Sequence, residues 1–95
     1  MITVDILCAR FARLSTDDLQ RWIAAGHVRC ESDSGAPCFH EIDVERVRLI
    51  LELRHDLDVN EEALPVVLSL LDQLYALRRR LRQLGAAAED DAARS

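Results

Sequence analysis

Seven apolar residues toward the C-terminal end, Ala63, Val67, Leu70, Leu74, Leu77, Leu81 and Leu84, are spaced alternately four and three apart. That spacing turns one narrow helical face toward a single neighbour and is the a/d seam of a coiled coil. A second stripe, Leu64, Leu68, Leu71 and Tyr75, runs beside it and stops at Tyr75. The helix is therefore wide-faced in its first half, where it can pack on its own domain and on a partner together. In its second half only a partner can cover it. A homodimer through Val67, Leu70, Leu74, Leu77, Leu81 and Leu84 is the expectation. Asn60 can cap this helix, and Pro65 removes a backbone donor in its early turns, so a kink or a late start is expected there. The tail "GAAAEDDAARS" is small and charged and is expected to fray.

The chain has 95 residues, room for one small domain with one element extending beyond it. Apolar residues make up 49% and aromatics only 4%, so Leu, Val, Ile and Ala must fill the core. Near the start, Thr3 can cap a short helix, "TVDILCARF", with Val4, Leu7, Cys8 and Phe11 on one face. Ser15 can cap a second, in which Asp17 and Asp18 suit the positive end of the dipole and Gly26 is a C′ stop. Leu19, Trp22 and Ile23 give it a buried side. Two short helices joined tightly around Ala12 to Leu14 predict a helix-turn-helix. "HVRCE" and "PCFHE", on either side of "SDSGA", predict a β-hairpin that would serve as its wing. A third helix is expected through "DVERVRLILELRHDL", capped by Asp43, with Val44, Val47, Ile50 or Leu51, and Leu57 as its stripe. The predicted fold is mainly α: a winged helix-turn-helix over residues 1–59, a long C-terminal dimerisation helix over 60–85, and a flexible tail over 86–95.

Catalytic chemistry finds no foothold in this pattern. There is no Ser/His or Cys/His pair with an orienting third group, no Gly-rich phosphate loop and no HExxH, so no enzyme is expected. The hairpin does gather His27, Cys30, Cys38 and His40, spaced H-x2-C-x7-C-x-H. Structural zinc sites bring ligands in close pairs such as C-x2-4-C, whereas here each pair is mixed, and His27 and Cys30 on one strand would face opposite ways. The competing reading makes Cys30 and Cys38 cross-strand neighbours acting as small apolar fillers. Metal or disulfide there stays open, and no cofactor is expected. The N-terminus has no positive n-region or long apolar run, and no stretch nears the roughly 18 apolar residues of a membrane span. A reducing cytoplasm follows as the expectation, with Cys8, Cys30 and Cys38 as free thiols or ligands rather than cross-links.

The winged architecture suggests DNA, but the charges oppose it. Formal charge is −5, and up to Asn60 seven Arg stand against eleven Asp and Glu. The residues that would meet base edges are Ser15, Thr16, Asp17 and Asp18, with Gln20 and Arg21 behind them, and the wing carries Glu31 and Asp33. Phosphate affinity comes mainly from Lys and Arg, so DNA is an unfavourable partner. The one basic run, Arg78, Arg79, Arg80 and Arg82, reads as a solvated flank whose stems cover the seam, with a weak nucleic-acid or acidic-partner patch as the minor alternative. In "LRHDL", residues 53–57, Arg54 and His55 suit a helix C-terminus and are equally a candidate recognition patch.

The order of parts, with "LELRHDLDVN" followed by "LSLLDQLYALRRRLRQL", resembles the chaperone-modulator (CbpM-like) family, whose helix-turn-helix is MerR-like. The resemblance covers about residues 2–84. Its most specific parts are Leu53-Arg54-His55-Asp56-Leu57 and Leu68-Ser69-Leu70-Leu71-Asp72. It implies a cytoplasmic dimer that binds the J-domain of a DnaJ/CbpA-like co-chaperone and inhibits it in competition with Hsp70 (DnaK). An acidic domain would suit the basic docking helix of a J-domain, and complementary charge speeds encounter. Arg54, His55, Asp56 and Asp72 carry over as partner-binding residues because they lie in the matching motifs. The alternative is a dimeric, DNA-binding transcriptional regulator of MerR type.

Overall fold

Thr3 closes a two-residue strand, β1 (Ile2–Thr3), and caps the helix that follows, its hydroxyl accepting from the Ile6 amide at 3.4 Å. The computed structural model describes the backbone of residues 1–33 and 35–94 and the side chains of 1–32 and 35–85. After β1 come α1 (Val4–Arg10), α2 (Thr16–Ala24), β2 (Glu31–Asp33), β3 (Ala36–Phe39), α3 (Glu41–Leu51), a π-helical turn (Glu52–Asp56) and α4 (Leu64–Arg94). The chain divides into two units, Met1–Leu64 and Pro65–Ser95.

In the first unit the helix ends follow from local chemistry. Ser15 caps α2 by accepting from the Asp18 amide at 3.1 Å. Gly26, at φ 82°, closes the same helix, with His27 N–H donating to Trp22 C=O and Gly26 N–H to Ile23 C=O. Those two bonds are a Schellman motif, which needs a left-handed residue where only glycine sits without strain. α1 and α2 with their short connection form the predicted helix-turn-helix.

The predicted wing is a three-stranded antiparallel sheet of order β1-β3-β2. β1, two residues long and without a period to read, pairs Ile2 with Phe39 and Thr3 with Cys38. Three expectations for this region need correction. β2 begins at Glu31, so His27 and Cys30 precede it, and the register sets Glu31, not Cys30, opposite Cys38. The helix cap is His40 rather than Asp43: Asp43 is three residues in, and its carboxylate accepts from the His40 backbone amide at 3.1 Å. Leu57 leaves the apolar stripe and stands 67% exposed, while Leu53 is buried at 6%.

The last correction has its cause in the π turn, where the Leu57 amide donates to Glu52 C=O, five residues back. The wider turn advances the chain through a smaller angle per residue, so Leu57 arrives off the face that Val44, Val47 and Ile50 bury. Val59 N–H then donates to Leu53 C=O at 2.8 Å and Asp58 takes φ 54°, a Schellman-like closure lengthened by one residue. Leu7, Leu19, Trp22, Phe39, Val47 and Ile50 are almost fully buried and form the centre of the unit.

Asn60 caps the turn before α4, accepting from the Ala63 amide through its side chain at 2.7 Å and from the Leu64 amide through its carbonyl. The regular helix thus starts late, at Leu64, beside Pro65. Along it Leu64 and Leu68 are buried and Val67 and Leu71 half-buried, whereas Leu70, Leu74, Leu77, Leu81 and Leu84 are between 41% and 67% exposed. The helical backbone continues to Arg94, across the stretch expected to be a tail. The side chains of 86–94, all of Ser95, and the side chain of Asp33 on the wing lie outside the described residues. No helix among the described residues is long and apolar enough to cross a membrane.

Candidate functional site

Four places carry the sequence's functional candidates: the start of α2, the wing, the π turn and the face of α4. At the start of α2, Thr16 and Asp17 are exposed, and Arg21 is drawn into ion pairs. Arg21 donates to Asp18 one turn back and to Glu61 at 3.4 Å. The end of the helix that would enter a DNA groove therefore presents carboxylates.

On the wing, His40 Nε2 lies 3.0 Å from Glu31 Oε1. The hydrogen bond to Glu31, and after it that carboxylate's charge, raises the His40 pKa above the ordinary imidazole value. Cys8, Cys30 and Cys38 are free thiols, Cys38 buried with its Sγ 3.8 Å from the Ala36 carbonyl. Among the described residues no group of three or more His, Cys, Asp or Glu is arranged to hold a metal ion. The two histidines have separate tasks: His27 lends its carbonyl to Arg46 Nε at 3.1 Å, and His40 caps α3.

The π turn holds three of the four partner-binding candidates, and it uses them differently. Arg54 faces inward to the loop that follows. Its NH1 donates to the Val59 carbonyl at 2.7 Å and its Nε lies 3.1 Å from Glu61. Glu61 also accepts from the buried Trp22 indole, 3.3 Å from Nε1 to Oε1. Glu61 is thus the common acceptor of α2 and the π turn, a role no local sequence signal marked. His55 is exposed. Asp56 receives Arg13 through two contacts, 3.0 Å and 3.4 Å, which tie the α1–α2 connection to the π turn. The Arg13 hydrogen bond lowers the Asp56 pKa below the usual carboxylate range, and Asp56 raises Arg13 in turn.

Beside this clasp is a cleft lined by Arg10, Phe11, Ala12, Arg13, Arg48, Leu51, Glu52 and Asp56. The Arg48 guanidinium sits over the Phe11 ring, 5.7 Å from its centroid. Arg10 reaches Glu41 at 3.4 Å. Asp72, the fourth candidate, belongs to the second unit, on the exposed surface of α4. The dimerisation candidates Leu70, Leu74, Leu77, Leu81 and Leu84 share an uncovered face of that helix, with Val67 half-buried at its start.

A short helix pair, a strand wing and a third helix define the winged helix-turn-helix class, and here a long helix with a leucine seam follows in the chain. A family model for MerR HTH family regulatory proteins matches residues 2–85, and the chain belongs to that family. No curated protein and no solved structure matches it.

Proposed function

We propose that this MerR-family chain is a chaperone modulator: a cytoplasmic homodimer that binds the J-domain of a DnaJ/CbpA-like co-chaperone and inhibits it by competing with Hsp70 (DnaK). The observation that carries this reading is the charge at the two places a winged helix-turn-helix uses on DNA. Asp17 is exposed at the start of α2, Arg21 is drawn back onto Asp18 and Glu61, and Glu31 on the wing is paired with His40. Backbone phosphates need arginines exposed at those places, and a basic protein surface needs carboxylates. The resemblance of "LRHDL" and "LSLLD" to the modulator family supplies the identity of the basic partner. No cofactor enters this function.

The description of the family as regulatory favours a second reading, a dimeric DNA-binding transcriptional regulator. A pull-down with a J-domain, run beside a gel shift on the promoter adjoining the gene, separates the two. J-domain capture without a shifted band is the expected result. A shifted band without capture would replace the first reading by the second. Asp56→Arg combined with Asp72→Arg should abolish capture while the helical circular dichroism stays that of wild type.

A further inference from the structure

The cleft at the end of α1 has a volume of about 290 Å³ and lies wholly within the first unit. Its apolar lining includes buried Leu51 and half-buried Phe11. Asp56 and Glu52 also line it, and both are exposed. An aromatic ring beside carboxylates is a receptor for a guanidinium, which stacks on the face of the ring and hydrogen-bonds at its edge. The chain's own arginines fill both kinds of position: Arg48 covers the ring and Arg13 occupies Asp56.

Arg13 is loosely held there. Arg13 and Asp56 are each 53% exposed, and an exposed pair exchanges readily with competing ions. The three arginines of the lining each already face a carboxylate, Arg10 with Glu41, Arg13 with Asp56 and Arg48 with Glu45. Residues 1–64 as a whole contain seven arginines against thirteen Asp and Glu, so an added cation meets an acidic unit. Arg54, two residues before Asp56, is engaged with Val59 and Glu61 and does not contend for Asp56.

We propose that this cleft is the docking slot for an arginine on a basic helix of the partner protein, and that Arg13 holds that place in the free chain. The arginine from the partner displaces Arg13 from Asp56 and lays its stem against Phe11 and Leu51. The proposal rests on the J-domain reading only for the identity of the partner. It differs from a plain acidic interface in the sign it assigns to Arg13, whose removal strengthens binding.

Calorimetric titration of the full-length chain tests it with two probes, a J-domain and a synthetic amphipathic helix of leucines and arginines. Arg13→Gln and Arg13→Ala should each bind roughly two- to fivefold more tightly than wild type, the range an exposed pair spans. Asp56→Asn should bind about fivefold or more weakly. In Arg13→Gln/Asp56→Asn the gain should vanish, since Arg13 acts only through Asp56; a merely structural Arg13 would not couple in this way. Thermal melts confirm that each variant is folded. If the J-domain binds but removal of Arg13 leaves affinity unchanged or lower, the slot is overturned and the J-domain reading stands. If only the synthetic helix binds, with the stated signs, the slot stands and the J-domain reading falls. Binding by neither probe overturns the slot. So does tighter binding of a glutamate-containing helix, which would assign the cleft to an acidic segment.

Discussion

Arg54 is fastened at two points, by its NH1 to the Val59 carbonyl and by its Nε to Glu61, and this decides what "LRHDL" can offer a partner. Of its three polar residues, His55 and Asp56 are the ones exposed. The sequence made Arg54 equally a dipole-complementing residue and a recognition residue, because its acceptors depend on how the chain returns at Asp58 and Val59. Arg13 with Asp56 was likewise illegible, since the pair spans 43 residues. His40 with Glu31 leads to a pH prediction. Folding raises the His40 pKa, so the pair stabilises the fold fully below the unfolded value of 6.5. That contribution fades as pH rises through the folded value. The thermal midpoint should therefore decline slightly from about pH 6 to about pH 8. Glu31→Gln should flatten the decline, whereas an unchanged slope would remove this pair as its cause.

Among the elements, the helix boundaries set by local chemistry were readable. Thr3, Ser15, Gly26 and Asn60 each act within a few residues, so a single chain suffices to find them. The sheet was half readable: a turn and two apolar flanks indicated the hairpin, but register and the short β1 strand depend on contacts between distant segments. The π turn was invisible, because an α-helical count from Ile50 puts Leu57 on the buried face. Urea denaturation followed by circular dichroism can test that change of phase. Leu53→Ala should cost about 2–5 kcal/mol, the range for truncating a buried leucine. Leu57→Ala should stay within about 0.5 kcal/mol of wild type, as exposed positions do. Equal losses at both positions would restore a regular α-helix through Asp56.

At the scale of the whole molecule, the division at Leu64 and the run of exposed leucines on α4 are its main features. The seam was legible because its spacing is a property of one helix; the identity of what covers it is not written in that spacing. Five leucines on one helical face form an apolar patch of the kind that marks an interaction surface. Wild type should elute as a dimer at micromolar concentration in size-exclusion chromatography with light scattering. Leu77→Glu with Leu81→Glu should give a folded monomer. A monomeric wild type would leave the seam to a different protein.

The same division has an optical consequence. The only tryptophan, Trp22, is almost fully buried in the first unit with its indole N–H on Glu61, and the only tyrosine, Tyr75, is half-exposed in the second. Indole emission therefore originates in the first unit. The phenol belongs to the second, so the native chain carries one such chromophore in each unit without an added label.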